Sequence, residues 1–262
     1  MPKFAANLSL LFTELPLRQR FAASKAAGFS AVEIQFPYEM PAEEMAALLR
    51  ANNLQMVLHN LPAGNWAGGE RGIACLPARV EEFRCGVETA LRYAQLLGVR
   101  QLNCLAGIPA TDVDAAQAYA CLLDNVRYTA QRLQQHGMRL LLEPINTFDV
   151  PGFFLARPSQ GFALLQEVAQ ANVFLQYDMY HAQRMEGGLA NTLRRSLAQI
   201  GHIQIADNPG RHQPGTGEID YPYLFSLLDQ LGYQGYVGCE YLPQGATLES
   251  LAWCATWLEA AD

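Results

Sequence analysis

Lysine is almost missing from this chain. Only Lys3 and Lys25 occur among 262 residues, and the formal net charge is −7. A protein that tracks nucleic acid needs a basic stripe to neutralise phosphates, so no nucleic-acid partner is expected. Long apolar runs are missing too. No stretch approaches the roughly 20 apolar residues of a membrane span. The start, Met1-Pro2-Lys3-Phe4, has neither the apolar core nor the cleavage site of an export signal. A cytoplasmic protein without membrane attachment is expected. No C-x-x-C motif occurs among the six cysteines, which read as reduced, small core residues. Cys239 adjoins Glu240, but strand alternation turns it the other way. The glycine-rich stretch between Asn60 and Pro77 lacks the G-K-[ST] ending of a phosphate-binding loop, so no nucleotide cofactor is expected. Charged residues are scarce at 16%, which suits an assembly with much buried surface such as a homo-oligomer.

What is present is apolar sequence in a repeating order. Half the residues are hydrophobic, enough for a large core. Strands are expected at Phe4–Leu8, Ala31–Ile34, Leu54–His59, Gln101–Leu105, Arg139–Glu143, Val173–Asp178, His202–Gln204 and Gly235–Glu240. Helices are expected between them at Leu15–Ala27, Pro41–Asn52, Arg79–Leu97, Asp112–His136, Ser159–Ala171, Leu189–Ile200 and Tyr221–Leu231, with a last one at Thr247–Ala260. Proline opens some of these helices and glycine closes others, as helix ends favour. Eight strand–helix units of about 33 residues predict an α/β fold, a single-domain (β/α)8 TIM barrel over residues 1–262. Asn60 to Pro77 breaks the rhythm. A connection that long is usually functional, and Trp66 and Arg71 within it suggest a lid.

The chemistry is expected where the strands end. Leu140-Leu141-Leu142 runs straight into Glu143 and Pro144, as in a strand buried on both faces. Three other runs end at or near Asp178, Gln204 and Glu240. In a parallel barrel the strand C-termini meet at one face, which carries the active site. One such acid would read simply as a helix cap. Four oxygen-bearing side chains on successive strands point instead to a metal or acid–base site. An all-oxygen set suits Mg²⁺ or Mn²⁺ better than Zn²⁺. Without a cation the three carboxylates would repel, driving at least one to hold its proton. Such a site supports proton abstraction beside a carbonyl, with Glu143 and Glu240 as the acid–base pair and Asp178 as a ligand. His181 could donate to a developing oxyanion. Arg211 could grip a substrate carboxylate through its planar fork, and Arg71 could join if its loop closes. His212 and Glu218 share the Arg211 loop and are assigned no role.

Stretches along nearly the whole chain resemble the sugar isomerase/epimerase barrels related to xylose isomerase and endonuclease IV, and within them the hydroxypyruvate isomerases. They include Phe36-Pro37-Tyr38, His59-Asn60-Leu61-Pro62-Ala63-Gly64, Gly69-Glu70-Arg71-Gly72-Ile73-Ala74-Cys75, Leu142-Glu143-Pro144-Ile145-Asn146 and Pro151-Gly152-Phe153. They continue with Gln176-Tyr177-Asp178, His181, Gln204-Ile205-Ala206-Asp207-Asn208-Pro209, Pro214-Gly215-Thr216-Gly217-Glu218-Ile219 and Gly238-Cys239-Glu240-Tyr241. The resemblance implies a small hydroxy-keto acid substrate, interconverted between hydroxypyruvate and tartronate semialdehyde. It also implies Glu143 and Glu240 as proton donor and acceptor, and a metal held by Glu143, Asp178, Gln204 and Glu240. Gln204 stands where the related epimerases have histidine. Five histidines and an acidic surface argue against the zinc cluster of the endonuclease branch. A 2-oxo-tetronate isomerase, and a non-catalytic barrel that binds a sugar acid or a protein partner, are the alternatives.

Overall fold

The computed structural model describes residues 2–258. Eight strands form one closed barrel in sequence order, every neighbouring pair parallel. They are β1 Lys3–Asn7, β2 Ala31–Ile34, β3 Gln55–Asn60, β4 Gln101–Cys104, β5 Arg139–Leu142, β6 Val173–Asp178, β7 Ile200–Ile205 and β8 Tyr236–Cys239. The helices are α1 Leu17–Ala26, α2 Ala42–Ala51, α3 Val80–Leu97, α4 Ala115–Gln134, α5 Pro158–Val168, α6 Met179–Met185, α7 Leu189–Ser196, α8 Tyr221–Gln230, α9 Thr247–Ser250 and α10 Ala255–Leu258.

The strands are short apolar runs because both of their faces are covered. Leu140, Leu142, Leu175, Tyr177, Ile203, Ile205, Val237 and Cys239 face outward, into the main core under the helices. Ala5, Ala31, Leu58 and Leu141 belong to a second cluster inside the barrel, with Phe174 and Tyr236 packed against it. The glycine that ends α3, Gly98, takes the left-handed conformation at φ 71°, which needs no Cβ accommodation.

Three expectations are corrected. α6 was not anticipated: it starts directly at the end of β6, because Asp178 Oδ1 accepts the backbone N–H groups of Tyr180 and His181 at 2.7 and 3.4 Å and so caps it. The helix expected over Leu189–Ile200 stops at Ser196, passes through a 3-10 turn, and leaves Ile200 to open β7. The last helix, expected over Thr247–Ala260, is broken by a 3-10 turn at Ala252–Cys254, and its final residues lie outside the described ones.

The Asn60–Pro77 excursion is anchored at its base. Leu61 N–H donates to Asn103 O at 2.8 Å and Cys75 N–H to Ala106 O at 2.9 Å. Ile73, Ala74 and Cys75 are buried. Among the described residues no helix is long and apolar enough to cross a membrane.

Candidate active site

A polar layer fills the barrel below its mouth. Glu33 on β2 accepts a hydrogen bond from Gln204 Nε2 on β7 at 2.7 Å and from Asn7 Nδ2 on β1 at 2.9 Å, and lies 2.7 Å from His202 Nε2 on β7. β2 and β7 are not neighbours in the sheet, so these bonds cross the lumen. Gly238 on β8 leaves the room for them, since a Cβ there would lie 2.5 Å from Glu33 Oε1. Glu33, His202 and Gln204 are each no more than 2% exposed.

Three carboxylates stand at the strand C-termini, beside and beyond this layer. Glu143 follows β5, Asp178 ends β6 and Glu240 follows β8, and all three are buried. Asn103 Nδ2 on β4 donates to Glu143 Oε2 at 2.7 Å. Gln35 Nε2, just past β2, donates to Glu240 Oε1 at 2.5 Å. Asp178 spends one oxygen on the α6 cap. Its other oxygen, Oδ2, and Glu240 Oε2 are buried without a hydrogen-bond partner. Each is left to face positive charge or to hold a proton. Burial pushes Glu143 well above the usual carboxylate range, and repulsion from Glu240 and Asp178 pushes it further. Burial likewise raises Glu240 to about 8 and Asp178 to about 6, against the pull of Arg211.

Arg211 enters from the loop after β7. Its backbone is left-handed, at φ 56°, and the loop is stapled by Asp207. That carboxylate accepts backbone N–H groups from Asn208, Gly215, Gly217 and Ile219 at 2.8–3.1 Å. Arg211 Nη2 stops 3.5 Å from Glu240 Oε2 and 4.0 Å from Asp178 Oδ2. Burial opposes the guanidinium charge, but Glu240, Asp178 and Glu143 outweigh it and raise its pKa. Arg211 is thus one positive group facing three acids.

His181 joins the same cluster. It is buried, its Nε2 lies 3.6 Å from Asp178 Oδ2, and its Nδ1 meets Asn146 Nδ2 at 2.7 Å. Burial, with Arg211 and Arg184 nearby, depresses its pKa well below the usual histidine value, so the ring is neutral. The two remaining candidates are held as follows. Gln204 is level with Asp178 in the β6–β7 register, but its amide is tied down on both sides. Its Oε1 accepts from Gln176 Nε2 at 2.6 Å while its Nε2 donates to Glu33. Arg71 is held by its own loop. It donates to the carbonyls of Trp66 and Glu70 at 3.1 and 2.8 Å, and its guanidinium lies 4.2 Å over the Trp66 ring.

The residue types fit a divalent cation. Glu143, Asp178 and His181 each offer a ligand atom within 4.8 Å of one another, the one such grouping of three among the described residues. The orphaned Asp178 and Glu240 oxygens supply the unmet negative charge. Sequence reasoning missed the supporting groups Glu33, Gln35, Asn103 and Asn146. A lone acid inside the four-residue apolar strand Ala31-Val32-Glu33-Ile34 was the available signal for the first.

Residues 21–257 match the model of the xylose isomerase-like TIM barrel family. The chain belongs to that family. It is 50% identical to the hydroxypyruvate isomerase of Escherichia coli over 97% of this chain and 98% of that one. It is 47% identical to the 2-oxo-tetronate isomerase of Cupriavidus necator, over 98% and 99%. A solved Brucella melitensis structure described as an AP endonuclease, family 2, superposes with a TM-score of 0.96 at 44% identity, covering 98% of this chain and 99% of that one.

Proposed function

We propose that the chain is an intramolecular oxidoreductase that interconverts hydroxypyruvate and 2-hydroxy-3-oxopropanoate (tartronate semialdehyde). The observation that carries this is Glu143 and Glu240, buried together and both raised above the ordinary carboxylate range, in a chain half identical to a hydroxypyruvate isomerase. One glutamate takes a proton from C3 of hydroxypyruvate, giving an enediolate, and the other returns a proton to C2, while the C3 hydroxyl gives up its proton as it becomes the aldehyde and the C2 oxygen takes one as it becomes the hydroxyl. With both proton shifts counted, atoms and charge balance without a redox partner. A carboxyl raised to about 8 still carries a transferable proton near neutrality, as a general acid needs. Asn103 donates to Glu143 and Gln35 to Glu240, so each glutamate is held by an amide from a neighbouring part of the barrel. Arg211 receives the substrate carboxylate, and His181 Nε2 donates to the oxygen that becomes negative.

Glu143, Asp178 and Glu240 would hold the cation, with Mg²⁺ or Mn²⁺ the ions that suit oxygen ligands. Bound there, it would polarise the substrate oxygen and favour ionised carboxylates. Gln204 Oε1 would be the fourth ligand: it accepts one hydrogen bond, from Gln176, and keeps a second lone pair, while its Nε2 ties it to the Glu33 hub. Arg71 serves the loop. The six free cysteines accord with a reducing, cytoplasmic setting.

A second reading, isomerisation of the one-carbon-longer 2-oxo-tetronate, is favoured by the Cupriavidus relative. The test is a panel of three- and four-carbon hydroxy-keto acids in deuterated water, read by NMR for product and for deuterium at the reacting carbons. Turnover of the three-carbon acid with solvent exchange is expected. Glu143→Gln and Glu240→Gln should each lower it by about 10²-fold or more, with strongly non-additive combination. Binding without exchange on any panel member would leave a sugar-acid-binding barrel instead.

A further inference from the structure

We infer that Asn146 is a positioning residue that decides which ring nitrogen of His181 carries the proton. It makes His181 a donor toward the reacting oxygen and removes it from the possible nitrogen ligands of a cation. The donor's purpose rests on the isomerase reading above, whereas the tautomer rests on hydrogen-bond polarity alone.

Asn146 lies in the loop after β5, and its amide orientation is fixed locally. Oδ1 accepts the backbone N–H groups of Phe148 and Asp149 at 3.0 and 2.8 Å. With the oxygen turned to those donors, the NH₂ group must point the opposite way. It donates to Asp149 Oδ2 at 3.0 Å and to His181 Nδ1 at 2.7 Å. Asp149 is held in its turn by the Tyr180 hydroxyl, which donates to the same Oδ2 at 2.8 Å. A ring nitrogen that faces an N–H must present a lone pair. A neutral imidazole has one such nitrogen, so the proton sits on Nε2. A doubly protonated ring would set N–H against N–H at 2.7 Å. Nε2 is the nitrogen that faces Asp178, 3.6 Å away.

Two consequences follow for the site. Its nitrogen offers a hydrogen bond to an oxygen near the carboxylates, and it offers no lone pair to a metal. The grouping of Glu143, Asp178 and His181 is therefore an oxygen site with a donor beside it. Ions that seek imidazole lose their main attraction there.

The experiment reads the histidine rings by long-range ¹H–¹⁵N NMR, with His181→Gln identifying the His181 signals. The native protein should show protonated Nε2 and bare Nδ1. Asn146→Asp keeps the contacts to Phe148 and Asp149 N–H but turns only acceptors to the ring, so Nδ1 should become protonated. Because two acids would then meet at positions 146 and 149, the double variant Asn146→Asp/Asp149→Asn restores that pair with its polarity reversed. It should fold and show the same protonated Nδ1, with the Tyr180 hydroxyl turned to accept from the new amide. Where the ring has switched to neutral with bare Nε2, turnover of the best panel substrate should fall about 10²-fold or more, the cost of losing one oxyanion donor. Protonated Nδ1 in the native protein, or an unchanged ring in the folded double variant, would overturn the tautomer assignment. A switched ring with unchanged turnover would overturn the donor role. Absence of turnover on every panel member would sink the isomerase reading while leaving the NMR result to stand or fall by itself.

Discussion

Glu240→Gln should stabilise the cation-free protein while disabling it. Glu240 is 3% exposed and its carboxyl is raised from 4.5 to about 8. Between those values the folded chain binds a proton that the unfolded chain does not. Stability is therefore lost as pH rises through that window, and is unaffected by this group below about 4.5. One pKa unit is worth about 1.4 kcal/mol, so keeping the acid protonated at pH 7 costs the native state roughly 3 kcal/mol. Glutamine has the same shape and cannot ionise. Its amide oxygen can still accept from Gln35 Nε2. Its NH₂ would face Arg211 in place of the carboxylate oxygen at 3.5 Å, and losing that attraction offsets about 1 kcal/mol. The net gain is about 2 kcal/mol at pH 7, whereas at pH 4.5 only the lost attraction remains and the variant is about 1 kcal/mol less stable. In a chain of this size the gain at pH 7 is roughly 4–8 °C in Tm. Thermal melts with chelator present, from pH 4.5 to 8, should show the variant's advantage growing with pH. A divalent cation should then narrow the gap by raising the native protein alone. A gap of equal size at pH 5 and pH 8, or a variant less stable at pH 8, would refute the reasoning.

Arg211→Ala should raise KM for hydroxypyruvate and lower kcat/KM by roughly 10–150-fold, the worth of a hydrogen bond to a charged group. A neutral analogue such as dihydroxyacetone should suffer far less. Arg211→Lys should recover only part of the loss, because it offers a point charge instead of a fork; equal losses on acid and neutral substrates would assign Arg211 to loop support. Gly238→Ala should destabilise by about 3 kcal/mol or more, since its Cβ must displace Glu33 and leave a buried carboxyl and its His202, Gln204 and Asn7 partners unpaired. A Tm within about 2 °C of the native value would contradict it. Exhaustive chelation should abolish turnover, with Mg²⁺ or Mn²⁺ restoring it, as checked by metal analysis alongside the rate; full activity in verified metal-free protein would mean the carboxylates act without an ion.

The barrel was legible because its signals are local. Leu140-Leu141-Leu142 before Glu143 announces a strand buried on both faces, and the period of such runs counts the strands. The carboxylates were legible because acids that end apolar strands repeat. What remained hidden depends on geometry across the lumen. Nothing near Gln204 in sequence says that Glu33, on β2, will take its amide. Nothing near Arg71 says that Trp66 will hold its guanidinium. The role of Asn146 lies in which of its two amide atoms meets backbone N–H groups, and a sequence carries no such polarity. The α6 boundary escaped for a related reason, as Asp178 serves both as a cap through Oδ1 and as a site acid through Oδ2.

The bridge from Glu33 to His202 bears on how the barrel comes together. The two residues are 169 positions apart, and loop closure over that span costs entropy before the contact returns anything. A partial barrel lacking β7 would keep Glu33 wet, with neither His202 nor Gln204 to receive it. Sealing the cylinder and drying its interior are therefore one event. The strands should share a common opening free energy in native-state hydrogen exchange, while the anchored Asn60–Pro77 excursion is free to fluctuate at its tip without unsealing the rest.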